Sequence, residues 1–319
     1  MLARCVALLI AGLAITAAAS ASSWPERPVK LLVGYAAGGS TDVIARLIAP
    51  RVADALGKPV IVENKPGASG DLAGELLLQS PADGYTLLLS TVAMHAINPR
   101  LAKVRRFDAV EDFAAIAMVA SYPMILIASP QSDFRTVADL QTLSRKSDVF
   151  FASSGIGSPG HLAGELFARA LGTPLTHVPY KGGAPSVVAV MSGETQLSFA
   201  TLPAVVPQIR AGKVRAVGLA SRQRNPAVAS TPTMAELGMP DFDVGTWTGV
   251  VGPRGTPAEV IARVNGAVAT ALAEPAIRSR LEGEGADIQA MTPEAFGRLI
   301  KSENARWVAV VRAAGIQAH

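Results

Sequence analysis

Two loops rich in glycine and hydroxyl side chains carry the residues of this sequence best suited to binding an anion. The first, GYAAGGST, separates an apolar run that predicts a buried strand from a run in which Ile44, Leu47 and Ile48 recur at helical spacing. The second, SSGIGSPG at residues 153–160, also lies between a strand-like and a helix-like segment. Such a loop exposes the free N–H groups of a helix N-terminus, where the helix dipole favours negative charge. The two loops therefore predict a site for a small anion.

Asp42 follows the first loop and is expected to organise it rather than to contact the ligand. A carboxylate there would repel an anion, but it can interact with the helix dipole and pair with Arg46, four residues on.

Cofactor chemistry is not indicated by either loop. Residues 155–160, GIGSPG, match the dinucleotide pattern G-x-G-x-x-G, but HVPYKGG stands where an acid about 20 positions on would hold a ribose. Neither loop contains the G-K-[ST] of a Walker loop. The histidines show no metal-ligand spacing: His95, His161, His177 and His319. We expect no cofactor and no metal.

A serine-type hydrolase is the alternative that the residues leave open, because Ser154 and Ser158 are close in sequence to His161. The chain has no G-x-S-x-G elbow, and nothing in the sequence specifies an acid to orient the histidine. We therefore expect the hydroxyls to cap a helix or bind a ligand, and the protein not to be an enzyme.

The first 21 residues have the pattern of a secretory signal peptide, with Arg4, an apolar run over 6–14 and the cleavage site Ala19-Ser20-Ala21. Cys5, the only cysteine, lies inside it, so the mature chain is predicted to have no thiol. The net charge of +4 and the lack of a Lys/Arg-rich run argue against nucleic acid as a partner. We predict an exported protein.

Strand-like and helix-like segments alternate from residue 29 to residue 221, which is typical of βαβ units. The predicted strands are VKLLV, PVIVE, YTLLLS, VFFAS, PLTHV, QLSFA and VRAVGLAS. The predicted helices span residues 42–56, 71–79, 161–171, 185–191 and 203–211, and further helices follow Pro257, Pro275 and Pro293.

Two long strand-like segments, Met118–Pro130 and Asp243–Pro253, predict two crossings between two lobes. The segment GDLAGELLL recurs ninety positions later as GHLAGELFA. Either the two lobes are similar, or two helices that follow a loop have the same packing requirements. We expect a signal peptide at 1–21, one lobe at 22–122 and 246–319, and a second lobe at 123–245.

Seven motifs, in order along residues 24–316, resemble the Bug family, the periplasmic solute-binding proteins of tripartite tricarboxylate transporters. They are WPERPVKLLVGYAAGGSTDVIAR, VIVENKPGASG, DGYTLLLST, HAINPRL, HLAGELF, HVPYKGGAP and GTPAEVIARVN. The resemblance implies a type II periplasmic-binding-protein fold, with two α/β lobes joined by a two-strand hinge. It also implies a monomer in the periplasm that holds a small carboxylate in the interlobe cleft and delivers it to the transporter's permease.

Matched residue by residue, the resemblance implies ligand contacts from both loops. The first loop supplies Ala37, Gly38, Gly39, Ser40 and Thr41, with Asp42 beside them. The second supplies Ser153, Ser154, Gly155, Gly157, Ser158 and His161. Secondary candidates are Ser69, Thr91, His95, Tyr180, Lys181 and Thr201.

The sequence departs from the family at two places. Ala37 replaces a proline found in many members, which we expect to be harmless. Ala200-Thr201 replace an Asp-Asn pair and so remove an acid that could hold an amino group. A buried ammonium without a counter-charge is costly, so we expect a carboxylate without an amine unless Glu194 or Asp243 serves instead. A ligand-sensing role with a sensor kinase is the other alternative.

Overall fold

The computed structural model describes residues 24–101 and 106–314, so the predicted signal peptide, Cys5 and His319 lie outside the described residues. The strands are β1 Val29–Val33, β2 Val60–Asn64, β3 Thr86–Thr91, β4 Phe113–Ala128, β5 Phe150–Ser153, β6 Thr176–Pro179, β7 Leu197–Thr201, β8 Arg215–Ala220, β9 Gly245–Pro253 and β10 Asp287–Ile288. The helices are α1 Ser40–Leu56, α2 Asp71–Leu78, α3 Asn98–Leu101, α4 Val137–Ser144, α5 Pro159–Leu171, α6 Gly183–Ser192, α7 Leu202–Arg210, α8 Ala258–Ala273, α9 Pro275–Gly283 and α10 Pro293–Ala314. Short 3-10 segments occur at Ala68–Gly70 and Pro226–Val228, and a π-helical turn at Ala93–Ile97.

The sheet has the strand order β2-β1-β3-β9-β4-β7-β5-β6, and β8 and β10 also pair with β4. β1 pairs in parallel with β2 and β3, and β5 pairs in parallel with β6 and β7. These two parallel groups, with the helices that connect their strands, form the first and the second lobe. The predicted βαβ alternation is confirmed for both.

Strand β4 belongs to both lobes, as the long strand-like segment predicted. It is antiparallel to β9 over Phe113–Pro123 and antiparallel to β7 and β8 over Met124–Ala128. The chain returns just before β9, where the Val244 N–H donates to Ala220 O at 3.1 Å. The two crossings therefore lie side by side and form the hinge; the residue bounds that we assigned to the lobes stay a prediction.

Three helices begin two residues before their predicted starts: α1 at Ser40, α5 at Pro159 and α6 at Gly183. In α1 and α5 the preceding residues, Gly39 and Ser158, have the extended backbone of an N-cap, so the helix starts directly after each loop. Consequently the hydroxyl residues of the first loop belong to the first turn of α1.

The buried core is continuous between the lobes around helix α10, which contacts both β4 and α5. Aromatic rings contribute on both sides, with Phe199 and Phe242 at 5.4 Å and Trp247 and Phe296 at 5.3 Å between ring centroids. Trp307 of α10 is buried and donates from Nε1 to Glu303.

Within residues 24–101 and 106–314, no single helix is long and apolar enough to cross a membrane; α8 and α9, bent by 73°, meet the criterion only together and only by length and composition.

Gly164 and Gly266 make a matched pair for testing how tightly the second lobe is packed. A Cβ on Gly164, inside α5, would overlap the ring of the buried Phe151, whereas a Cβ on Gly266, inside α8, meets nothing within 4 Å. We expect Gly164→Ala to lower the free energy of unfolding by about 1–3 kcal/mol through overpacking. Gly266→Ala should leave it unchanged or raise it by up to about 1 kcal/mol. Urea unfolding measures both, and equal effects would contradict the packing described.

Candidate functional site

A small cavity lies between the two lobes, directly in front of the hinge strands. Its volume is about 40 Å³. The residues that line it are Tyr35, Gly39, Ser40, Thr41, Thr91, Tyr122, Met124, Ser154, Pro159, Gly183, Ser186, Phe199, Ala200, Thr201, Ala204 and Thr246. None of these described residues carries a charged side chain. Recognition of charge in this cavity must therefore come from hydroxyls and from the backbone.

Three helices begin at the cavity without a side-chain cap. The N-cap residues are Gly39 for α1, Gly182 for α6 and Thr201 for α7, and none of them accepts a capping hydrogen bond through its side chain. The first turn of each helix therefore presents N–H groups that have no partner within the helix. Together the three helix dipoles make the cavity favourable for negative charge.

The N-termini of α1 and α6 face each other closely. A Cβ built on Gly39 would lie 3.7 Å from the Gly183 nitrogen and 3.8 Å from the Ala184 nitrogen. A single carboxylate placed there can accept N–H groups from both lobes at once.

Two buried tyrosines complete the first-lobe wall with uncharged hydroxyls. The Tyr35 hydroxyl donates to Ser69 O at 2.9 Å and lies 3.0 Å from Thr91 Oγ1, which therefore donates to Tyr35. The Tyr122 hydroxyl interacts with the side chains of Ser40 and Thr41. Burial raises the pKa of Tyr35 well above its ordinary value and that of Tyr122 to about 12. Both side chains stay neutral donors at physiological pH.

Asp42 holds the first loop in shape, as the sequence predicted. Its Oδ2 accepts the Gly38 N–H at 2.9 Å, and its Oδ1 accepts Arg46 Nε and Asn64 Nδ2, each at 2.9 Å. Asn64 Nδ2 also donates to Tyr35 O at 3.0 Å. Burial raises the pKa of Asp42, but these hydrogen bonds outweigh it and leave the pKa below its usual value. The carboxylate is thus satisfied within the loop, and its charge is neutralised by Arg46.

Two hydrogen bonds join the lobes at the edge of the cavity. Ser69 Oγ donates to Ile156 O at 2.6 Å, and the Ala36 N–H donates to Lys181 O at 3.2 Å. Ser69 has a φ of +50° and its neighbour Ala68 a φ of +46°, a conformation that costs about 1–2 kcal/mol per residue. The strained turn brings the Ser69 hydroxyl to the opposite lobe, so these bonds belong to a closed arrangement.

The second loop contributes only one of its predicted residues, Ser154, to the wall of the cavity. Ser158 is fully buried and caps α5 by accepting the His161 N–H at 3.2 Å. The Gly157 N–H donates to His161 Nδ1 at 3.2 Å, and Ser153 Oγ bonds both the N–H and the carbonyl of Gly155. These residues therefore stabilise the conformation of the loop by hydrogen bonds and do not line the cavity.

The structure brings six of the predicted site residues to the cavity: Gly39, Ser40, Thr41, Thr91, Ser154 and Thr201. The others do not line it: Ala37, Gly38, Ser69, His95, Ser153, Gly155, Gly157, Ser158, His161, Tyr180 and Lys181. His95 is fully buried and stacks on Trp247, with 5.7 Å between the ring centroids. Burial lowers its pKa to about 4. Tyr180 donates its hydroxyl to Glu194 Oε1 at 2.7 Å. Direct ligand contact stays a prediction for the whole set.

Sequence reasoning did not identify the contribution of the hinge or of α6. Tyr122 and Thr246 lie on the two crossing strands, which were predicted, but nothing indicated which of their side chains would face the cleft. Gly183 and Ser186 open α6. Their signal was present in KGGAP, where two glycines precede a helix as they do in the first loop.

Neither Ser158 nor Ser153 is arranged as a nucleophile beside a histidine. Ser158 uses its hydroxyl for the backbone of His161, and the ring of His161 accepts from Gly157 through Nδ1. Ser153 lies 2.7 Å from His177 Nε2, but it is fully buried. A buried hydroxyl cannot reach a substrate carbonyl, so this pair is structural.

Comparison with known proteins identifies one protein family. The model of the tripartite tricarboxylate transporter family receptor matches residues 44–316. Protein BugT of Bordetella pertussis is 36% identical over 313 residues, which cover 97% of this chain and 96% of BugT.

Solved structures share the fold over nearly the whole chain. Rpa4515 of R. palustris, determined with adipate, is 35% identical with a TM-score of 0.89 and covers 93% of this chain and 100% of its own. The periplasmic binding protein BugD is 32% identical with a TM-score of 0.88, covering 93% and 100%. MatC from Rhodopseudomonas palustris, with bound malate, is 33% identical with a TM-score of 0.86, covering 90% and 100%. The predicted periplasmic-binding-protein fold is confirmed.

Ser154 and Ser158 should separate binding from stability, because only Ser154 lines the cavity and only Ser158 caps a helix. We expect Ser154→Ala to weaken carboxylate binding by about 1–3 kcal/mol with little change in melting temperature. Ser158→Ala should instead cost about 0.5–2 kcal/mol of stability through loss of the cap. Calorimetry and thermal unfolding of both variants measure the two effects. The assignment fails if Ser154→Ala binds as the parent does.

Proposed function

The chain belongs to the family of tripartite tricarboxylate transporter receptors, and we propose that it captures a small carboxylate between its lobes in the periplasm and delivers it to the permease of such a transporter. The observation that carries this proposal is the meeting of three uncapped helix N-termini at a cavity to which the described residues contribute no charged side chain. The adipate and malate in the related structures support an acid as the ligand.

Backbone and hydroxyl donors are sufficient for useful affinity. A hydrogen bond to a charged acceptor contributes about 1.5–3 kcal/mol, and micromolar binding requires about 8 kcal/mol in total. Three to five donors from α1, α6 and the hydroxyls of Ser154 and Thr201 meet that requirement.

Closure of the lobes over the ligand would supply the signal for delivery. The bonds Ser69–Ile156 and Ala36–Lys181 join the lobes at the rim of the cavity. A ligand that accepts N–H groups from α1 and α6 together binds the closed arrangement better than the open one, and so increases its population. The permease would then recognise the closed receptor.

The ligand that we propose has no amino group. Ala200 and Thr201 line the cavity where an acid would be needed to hold an ammonium. Glu194 accepts the hydroxyl of Tyr180, and Asp243 lies 3.3 Å from Arg222, beside a groove on the other side of the hinge. Neither of the two acids that could have replaced the missing one lines the cavity.

Calorimetric titration of ligand-stripped protein tests the ligand class. The panel is succinate, malate, adipate, benzoate, aspartate and glutamate, and we expect at least one amine-free acid to bind with a micromolar Kd. Aspartate and glutamate should bind at least about tenfold more weakly, because burying an unpaired ammonium costs several kcal/mol. Aspartate or glutamate as the tightest ligand would show the inference to be wrong. Turnover of a chromogenic ester would favour a hydrolase instead.

Gly39 offers a test of the location of the site. Its φ of −75° suits any residue, and a Cβ there makes ordinary contacts at 3.5 Å or more. The two γ-methyls of Gly39→Val, however, would occupy the gap between the N-termini of α1 and α6. We expect Gly39→Val to fold and to lose ligand-induced thermal stabilisation, and Gly39→Ala to retain part of it. Full stabilisation of Gly39→Val by the same acid would place the ligand elsewhere.

A further inference from the structure

Two stacked histidines lie behind the second loop. The rings of His161, from α5, and His177, from β6, are 3.9 Å apart between centroids and 15° from parallel. The buried ring of Phe151 stacks on His177 at 4.8 Å. His161 is buried and His177 is partly buried. Neither ring lines the cavity, so the pair calls for an explanation other than ligand contact.

His177 orients the hydroxyl that fixes Ser154. Ser153 Oγ donates to Gly155 O at 3.0 Å and accepts the Gly155 N–H at 3.1 Å. It therefore holds both peptide groups of Gly155, the residue that follows Ser154. His177 Nε2 lies 2.7 Å from the same oxygen. With the single hydroxyl proton directed at Gly155 O, His177 donates from Nε2. In the neutral ring, Nδ1 then carries no proton.

His161 holds the other end of the loop. Its Nδ1 accepts the Gly157 N–H at 3.2 Å, so in the neutral ring the proton is on Nε2. Between the two anchored glycines lies Ile156, whose carbonyl accepts Ser69 Oγ from the first lobe. The histidines thus fix both the residue that lines the cavity, Ser154, and the carbonyl that joins the lobes.

We propose that His161 and His177, both uncharged and both with the proton on Nε2, are positioning residues that hold loop 153–158 in its ligand-binding shape. The effect on the ligand rests on the proposed function, whereas the hydrogen bonds and tautomers do not. A proton on Nδ1 of His161 would break its hydrogen bond with Gly157, because the Nδ1–H and the Gly157 N–H would then be two donors facing each other. A charge on both stacked rings would add repulsion at 3.9 Å.

Among the residues that the structure describes, Glu165 and Arg169 of α5 are charged groups near His161. His161 Nε2 is 3.7 Å from Glu165 Oε1. Burial raises the pKa of Glu165, and the charge of Arg169 opposes that shift.

Burial also lowers the pKa of His177 to about 4, against ~6.5 in an unfolded chain. Between these values the unfolded chain binds a proton that the folded ring does not. This residue therefore makes the free energy of unfolding fall as pH decreases from about 6.5 towards 4.

Two variants of His177 separate the hydrogen bond from the stacking. His177→Phe keeps a ring against His161 but has no donor for Ser153 Oγ, and His177→Gln keeps an N–H donor without a titrating ring. With malate and adipate as probes at pH 7, we expect His177→Phe to weaken the binding of whichever acid binds by about tenfold, the equivalent of one hydrogen bond to a hydroxyl group. His177→Gln should stay within threefold of the parent. Parent-like affinity in His177→Phe, or equal losses in both variants, would overturn the proposal.

NMR tests the tautomers without any ligand. In protein labelled with ¹⁵N-histidine at pH 7, we expect His161 and His177 each to show a protonated Nε2 and a bare Nδ1. The Gly155 and Gly157 amides should exchange with solvent at least tenfold faster in His177→Phe than in His177→Gln. A protonated Nδ1 on either ring would overturn the proposal even if both acids bind. If neither acid binds the parent, that result counts against the proposed ligand class. The tautomers measured by NMR still test the proposed role of the histidines.

Discussion

Unpaired N–H groups at three helix ends are the constraint around which the site is built. Helices α1, α6 and α7 begin at the cavity without side-chain caps, and water or a ligand must satisfy their first turns. Asp42 follows from this constraint, because it stabilises the first loop while its charge is cancelled by Arg46 and its oxygens are used by Gly38 and Asn64. The negative charge of the protein is thus kept out of the place where a negative ligand would bind.

The hinge is part of the binding surface as well as a connection. Tyr122 on β4 and Thr246 on β9 line the cavity, and both also border the polar groove on the other side of the hinge. Met124 marks the point at which β4 leaves the first lobe for the second. A ligand in the cavity would therefore touch the strands that form the hinge, and not only the loops at the helix N-termini.

The fold was predictable from sequence because its signals are local, whereas the site depends on neighbours that are distant in sequence. Alternating apolar runs located the strands, and glycines with hydroxyls located the loops that supply Gly39, Ser40, Thr41 and Ser154. Helix α6 begins opposite α1 because of the order of the strands in the sheet. A local sequence pattern does not predict that order. His95 came from the resemblance alone, and its burial and its stacking on Trp247 could not be read from the sequence.

A site whose electrostatics come from peptide groups has a consequence for how its selectivity can change over evolution. No substitution other than proline removes a main-chain N–H, so the preference for acids that we propose would survive almost any exchange of the lining side chains. Met124, Phe199, Ala200 and Ala204 shape the rest of the cavity and carry no part of that preference. Under the proposed function, new ligands could therefore be acquired by changing size and shape alone, through single exchanges of neutral residues, while the main-chain N–H groups would still hold the acid group.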